Sequence, residues 1–316
     1  MNNCDNLVFI PLSNKKCEVK YKGNIEELTT VTIPSSFEGM EVVQIGGKAF
    51  IDCKNLVSVT LPNTIVKIQD YAFCQCVSLQ SINLPDKLTK IGKRAFTSCP
   101  SLKDIKIPSG LTILGEGAFC GCASLTSINI PKGIKRIIYA TFCDCKSLES
   151  LNMEDGVTNI TNGAFARCSS LKDIVLSKCL ERIGERAFDS CSSLKSIDIP
   201  DNVKTIDEAA FHACNSLEKV HLPTSLTRLN QGVFSCCLSL ETIVIPNGIT
   251  VIEKYTFEKC TKLKNVSLPD SVREINSIAF VGCVSLKTVM IPEHAYVIEN
   301  ESFFARVPSF TKKEKN

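Results

Sequence analysis

The chain has 316 residues, 44% of them hydrophobic and 22% charged, and its net charge of +3 is spread along the sequence without a basic stripe, which excludes nucleic acid as the natural partner. No apolar run reaches the ~18 residues that a membrane-spanning helix needs. Eighteen cysteines are many for this length, and their spacing, not their number, carries the information.

In chain order, Met1 to Leu12 shows no basic region followed by an apolar stretch, so no secretory signal is read there. Residues 1–33 lack the motif found beyond them and are expected to cover one end of the structure, as a hairpin through Leu7–Pro11 and Cys17–Tyr21. Phenylalanine then recurs at Phe50, Phe73, Phe96, Phe119, Phe142, Phe165, Phe188, Phe211, Phe234, Phe257, Phe280 and Phe303, always 23 residues apart. Cysteine follows the first eleven by three residues, from Cys53 to Cys283, and leucine by six, from Leu56 to Leu286. An apolar pair comes nine and eleven residues after phenylalanine, as at Ile82 and Leu84 or Ile197 and Ile199, and proline usually closes the unit, as at Pro85 and Pro200. Another aliphatic side chain, such as Ile68 or Ile183, stands five residues before each phenylalanine.

The segment L-x-x-I-x-I reads as a short strand, because Ile-x-Ile places two side chains on one face. The proline after it cannot donate to a ladder, so the strand ends there. The spacings of three in A-F-x-x-C-x-x-L suit a helical or 3-10 turn that points Phe, Cys and Leu inward. One unit cannot bury its apolar face alone; stacking the next one on it does, with the strands pairing in parallel. A parallel β-helix of this period would show two or three strand-like stretches per turn, and only one is read here. The expectation is therefore an α/β solenoid, an arc with a parallel β-sheet on the concave face and short helical or 3-10 turns on the convex side. About twelve units fill residues 34–303. Residues 304–316, with Arg306 and Ser309 in place of the cysteine and leucine, form a C-terminal cap and polar tail.

Laid out in this way, the chain resembles the BspA-like leucine-rich repeats, which share the unit length and the A-F-x-x-C-x-x-L-x-x-I-x-I-P signature; the resemblance runs from about Leu28 to Phe303. The irregular entry, Val31-Thr32-Ile33-Pro34 followed by Phe37 to Val42, is similar to the first repeat of that family. The resemblance implies a leucine-rich-repeat arc that binds proteins without catalysis, a surface antigen or adhesin recognising host cell-surface, extracellular-matrix or microbial proteins. It implies no enzyme activity and no cofactor. An intracellular scaffold or inhibitor holding a partner protein in the arc is the alternative. With no leader or anchor read in the sequence, both the cell surface and the cytoplasm stay open.

The eleven in-register cysteines have the wrong spacing for zinc, which needs pairs two to four residues apart, and read as a buried, reduced core column with no metal. Cys120 and Cys143 share a different position in adjacent units; exposed thiols and a disulfide are both open for them, and Cys74 holds the same position without a neighbour. His212, His221 and His294 fall at unrelated unit positions, and no nucleophile motif or phosphate loop accompanies them. The outward strand positions are the expected binding face. Its first half is small and polar, whereas Asp173, Val175, Asp198, Lys219, His221, Val244 and Met290 mix charge with apolar groups and are the expected ligand-binding residues. Asn159, Asn265 and Asn300 begin N-glycosylation acceptor patterns.

Overall fold

The computed structural model describes residues 6–299 and 308–313, so Asn300, Phe303 and Arg306 lie outside the described residues. The chain forms two compact units, Met1–Val157 and Thr158–Asn316. Within each, a 23-residue repeat makes one coil of a parallel β-solenoid. In Met1–Val157 the stack begins with an antiparallel hairpin of Leu7–Pro11 on Lys16–Tyr21, which continues in parallel through Met40–Ile45, Lys67–Ile68, Lys90–Ile91 and Ile113–Leu114. In Thr158–Asn316 the corresponding strands Asn159–Ile160, Arg182–Ile183, Thr205–Ile206 and Arg228–Leu229 form one parallel sheet.

These strands are the first departure from the sequence expectation. Most coils carry two strands, not one: the L-x-x-I-x-I strand, and this second one at the aliphatic residue five before phenylalanine; the coil of Leu102 and Ile107 has only the second. Most of the second strands are two residues long and bury one side chain, as in Arg182–Ile183, where Ile183 is buried and Arg182 exposed. A strand with a single inward residue leaves no alternation to read.

The helical turn is the second correction. Among the described residues the only helical segment is the 3-10 turn Ser277–Phe280. In the other coils the residues two before and two after phenylalanine adopt left-handed backbone, for example Arg186 and Ser190 around Phe188 (φ 51° and 59°) or Ala209 and Ala213 around Phe211 (φ 54° at both). Two left-handed residues break the helical ladder and turn alternate N–H groups along the stack. The amides of Arg186, Phe188 and Ser190 donate to the carbonyls of Glu208, Ala210 and His212 in the next coil, at 3.0, 2.8 and 2.8 Å. Left-handed backbone costs a non-glycine residue ~1–3 kcal/mol, and these bonds offset it. The exception has a steric cause. Ile278 stands two before Phe280, and a β-branched side chain resists positive φ. That coil takes a 3-10 turn instead, with the Asn276 side chain accepting from the Ile278 amide at its start.

The core is a set of columns. From Phe50 to Phe280 eleven phenylalanines are fully buried. Within each unit neighbouring rings stack in parallel, with centroids 5.2 Å apart at Phe50–Phe73 and 5.4 Å at Phe188–Phe211. The cysteine column is buried as expected, and it also bonds. Within it, Cys76 to Cys145 and Cys191 to Cys283 donate from Sγ to the carbonyl of the phenylalanine 26 residues earlier, as in Cys99 to Phe73 (3.1 Å) and Cys214 to Phe188 (3.2 Å). The same carbonyls accept the amide of the cysteine three residues on, so both oxygen lone pairs are used. Burial pushes the Cys53 thiol from its ordinary 9.0 up to about 11, and holds Cys99, Cys191, Cys237 and Cys260 well above 9.0.

Two outcomes follow. Ala209→Ile forces a β-branched residue into positive φ and should cost ~1–3 kcal/mol in denaturant unfolding, against less than ~1 kcal/mol for Ala209→Gly; equal effects would contradict the backbone account. Above about pH 9 the unfolded thiols ionise while the folded ones keep their protons. Unfolding then releases protons, and stability present below pH 9 is lost as pH rises through about 11, by up to ~1.4 kcal/mol per pH unit for each thiol. Urea midpoints measured from about pH 8 to pH 10.5 should fall steeply, and less steeply by about one proton in Cys214→Ala.

Candidate binding surface

All seven residues expected to bind a partner belong to the unit Thr158–Asn316 and lie on its first strands. These strands alternate an inward residue between two outward ones: Asp173–Val175, Ser196–Asp198, Lys219–His221, Thr242–Val244, Asn265–Ser267 and Thr288–Ile291. The outward apolar side chains are well exposed, Val175 at 58% and Val244 at 68%.

The sheet is not continuous. Ser196–Asp198 pairs with Lys219–His221, and Thr242–Val244 with Asn265–Ser267, but Lys219–His221 and Thr242–Val244 belong to separate ladders, as do Asp173–Val175 and Ser196–Asp198. Within Thr158–Asn316 the lapses coincide with a sequence difference, which does not hold in Met1–Val157, where the strand of Val59 and Leu61 pairs with Ser81–Ile82. A strand whose inner pair ends in isoleucine (Ile197 and Ile199, Ile243 and Ile245) pairs with the next coil, through the Ile199 and Ile245 amides donating to His221 and Ser267. A strand whose inner pair ends in leucine (Ile174 and Leu176, Val220 and Leu222, Val266 and Leu268) precedes a lapse. β-branched residues hold extended backbone better than leucine does. At each lapse the central inward residue, Ile174, Val220 or Val266, is half-exposed, whereas Ile197 and Ile243 are buried.

A groove opens at each of the first two lapses. The one of about 620 Å³ is lined by Ile174, Val175, Lys178, Asp198, Asp201 and His221 among others. The second, about 440 Å³, is lined by Lys219, Val220, His221, Leu222, Thr242 and Val244 among others. Asp198 and His221 are cross-strand partners, so His221 faces both grooves. Five of the seven expected residues are thereby brought together. Asp173 is exposed at the start of its strand but lines neither groove. Met290 stands apart, with the coil of Ser267 between it and Val244.

The sequence reading missed a polar column on the same unit. His212 Nδ1 donates to Asp189 Oδ1 at 2.6 Å, one coil earlier, and Ser235 and Glu258 occupy the same position in the next two coils. The common position immediately after phenylalanine is the signal that would have found them. The order Asp, His, Ser does not make a nucleophile: Ser235 is buried, its Oγ donates to Glu258 Oε2 at 3.0 Å, and among the described residues no hydrogen bond joins it to His212. On the second-strand side, Arg182 Nε lies 2.6 Å from Asp207 Oδ2, and the Asn230 amide donates to Asp207 Oδ1 at 3.1 Å, in a shallow polar groove of about 370 Å³. Asp207 is thereby a satisfied, nearly buried carboxylate. No helix among the described residues is long and apolar enough to cross a membrane.

Comparison with known proteins agrees with this architecture. The model of the BspA-type leucine-rich-repeat region matches six copies, over residues 18–148, 89–215 and 181–307. A leucine-rich cell surface protein of Faecalibacterium prausnitzii A2-165 is 27% identical over 94% of this chain and 94% of its own, with a TM-score of 0.53. A leucine-rich-repeat protein of Eubacterium ventriosum, 21% identical over 93% of this chain and 91% of its own, has a TM-score of 0.56, a likeness of fold alone. One from Bacteroides ovatus is 26% identical over 98% of this chain and 99% of its own, with a TM-score of 0.49. Among curated protein sequences no relative is found. With a repeat match that covers nearly the whole length, the chain belongs to the BspA-type leucine-rich-repeat family.

Proposed function

We propose that this chain is a non-catalytic recognition protein, of the surface-antigen or adhesin kind, that holds a protein partner on the first-strand sheet of the unit Thr158–Asn316. The supporting observation is the pair of grooves at the ladder lapses, where Val175, Asp198, Lys219, His221 and Val244 line a surface of alternating apolar and charged groups. An extended protein segment suits such a surface. Its apolar side chains would cover Ile174, Val175 and Val244, and its charges would meet Asp198 and Lys219. The surface setting is supported by the Faecalibacterium protein, which is described as a cell surface protein.

Attachment to host cells or immobilised extracellular-matrix proteins, measured with purified protein, tests the reading. Asp198→Lys combined with His221→Glu should weaken attachment at least about tenfold, the equivalent of ~1.4 kcal/mol. Met290→Glu, at an outward first-strand position but in a separate ladder and outside the grooves, should leave it unchanged. All three positions are exposed, so the fold should tolerate the changes to within ~0.5 kcal/mol each. Attachment that survives the double substitution would move the site off this sheet.

A further inference from the structure

Outside the core column, the unit Met1–Val157 brings two more thiols and a carboxylate to one point. Cys120 and Cys143 each follow a stacked phenylalanine, and the two coils are locked in register around them. The Phe119 amide donates to the Thr141 carbonyl at 2.9 Å, and the Gly121 amide to the Cys143 carbonyl at 2.8 Å. Asp144, held in left-handed backbone at φ 60°, places Oδ2 3.5 Å from the Cys143 Sγ. The two Sγ atoms and a carboxylate oxygen of Asp144 all lie within 4.8 Å of one another. We propose that Cys120, Cys143 and Asp144 bind a single thiophilic divalent cation, zinc.

The chemistry of the donor set carries this. Zn–S bonds of ~2.3 Å and Zn–O bonds of ~2.0–2.2 Å in a tetrahedron put neighbouring ligand atoms ~3.5–3.8 Å apart. The three atoms reach that by drawing in by at most about 1 Å, a side-chain adjustment that leaves the coil register untouched. Without metal the Cys143 thiol donates to the Asp144 carboxylate; a divalent cation would take the place of that proton and draw both sulfurs and the carboxylate to itself. On binding, each thiol gives its proton to the buffer and its sulfur lone pair to the metal. Two protons leave per ion, and the site with its cation carries a charge of −1. Cys120 and Asp144 are only half-buried, so water can reach the fourth position.

The eleven-cysteine column offers no such site. Its thiols donate their protons to phenylalanine carbonyls in an apolar core, and ionising them would break those bonds and strand charge. Position is equally selective along the stack. Cys74 stands at the same place as Cys120, but Thr97 fills the coil between them. A disulfide between Cys120 and Cys143 would have no use for Asp144.

Titration of the full-length protein with Co²⁺ and then Zn²⁺, without oxygen and with a non-thiol reductant, tests the site. The expected result is one equivalent of Co²⁺ with thiolate-to-cobalt charge transfer of two sulfurs and tetrahedral visible bands, all displaced by Zn²⁺. Cys120→Ser with Cys143→Ser should abolish the bands. Asp144→Asn should weaken binding at least about tenfold while keeping the charge transfer, and Cys74→Ser should change nothing. The wild-type spectrum decides even if a cysteine variant fails to fold. No charge transfer in the wild type, or undiminished bands in a folded double variant, would overturn the proposal. So would a titre two thiols short of eighteen in protein isolated under the same reducing conditions, which would identify a disulfide instead.

Discussion

Within each unit, amide groups of the phenylalanines, and of left-handed residues two positions to either side, bond the coil that follows, as at Phe50, Phe96, Phe188 and Phe234. The bond always spans 22 residues, so it holds only if every coil has the same length. One insertion inside a coil would misalign three amides, a phenylalanine ring and a thiol at once. That interaction explains why the 23-residue spacing runs without interruption, why phenylalanine rings stack at 5.2–5.9 Å in coil after coil within each unit, and why cysteine protons from Cys76 onward reach the same kind of carbonyl. The coil is stiff on this side because its backbone polar groups are bonded along the stack.

The opposite behaviour on the first-strand side is where recognition is placed. There, in Thr158–Asn316, the ladder is made by strands of three or four residues, and an exchange of isoleucine for leucine at the inner position accompanies its loss. A solenoid can tolerate such lapses because each coil is already held by the phenylalanine side. The result is a rigid frame with grooves at intervals of two coils. The grooves expose half-buried aliphatic residues beside Asp198, Lys219 and His221. Preformed apolar grooves of this kind bind with little ordering of the protein.

The repeat length, the phenylalanine and cysteine columns, the first strands and the N-terminal hairpin were legible because each rests on a residue type that recurs at fixed spacing. The second strand was not, since Ile183 alone points inward from Arg182–Ile183 and one residue has no period. The left-handed positions were hidden by their variety. Lys48, Tyr71, Arg94, Ala140 and Arg186 occupy them as well as Gly117, Gly163 and Gly232, because the bond along the stack, not glycine, pays for the conformation. What they exclude is β-branching, and Ile278 marks the coil that takes a 3-10 turn. For the binding surface, the outward positions were readable from strand alternation, but their division into grooves was not. In Thr158–Asn316 it coincides with the difference between Leu222 and Ile245 at the same position, which looks conservative in a sequence. Metal chemistry was sought in the regular cysteines, whereas the three donors that meet come from two irregular positions, Cys120 and Cys143–Asp144.

Amide hydrogen exchange, resolved by residue across Thr158–Asn316, tests the central claim that the stack is held by axial amides on the phenylalanine side and relaxed at the first-strand lapses. The account predicts that Arg186, Phe188 and Ser190 exchange only with global unfolding, while the amides of Lys219–His221 and Thr242–Val244 that face the lapse open more readily than those of Ile199 and Ile245. Uniform protection along every first strand, or rapid exchange at Phe188, would contradict it.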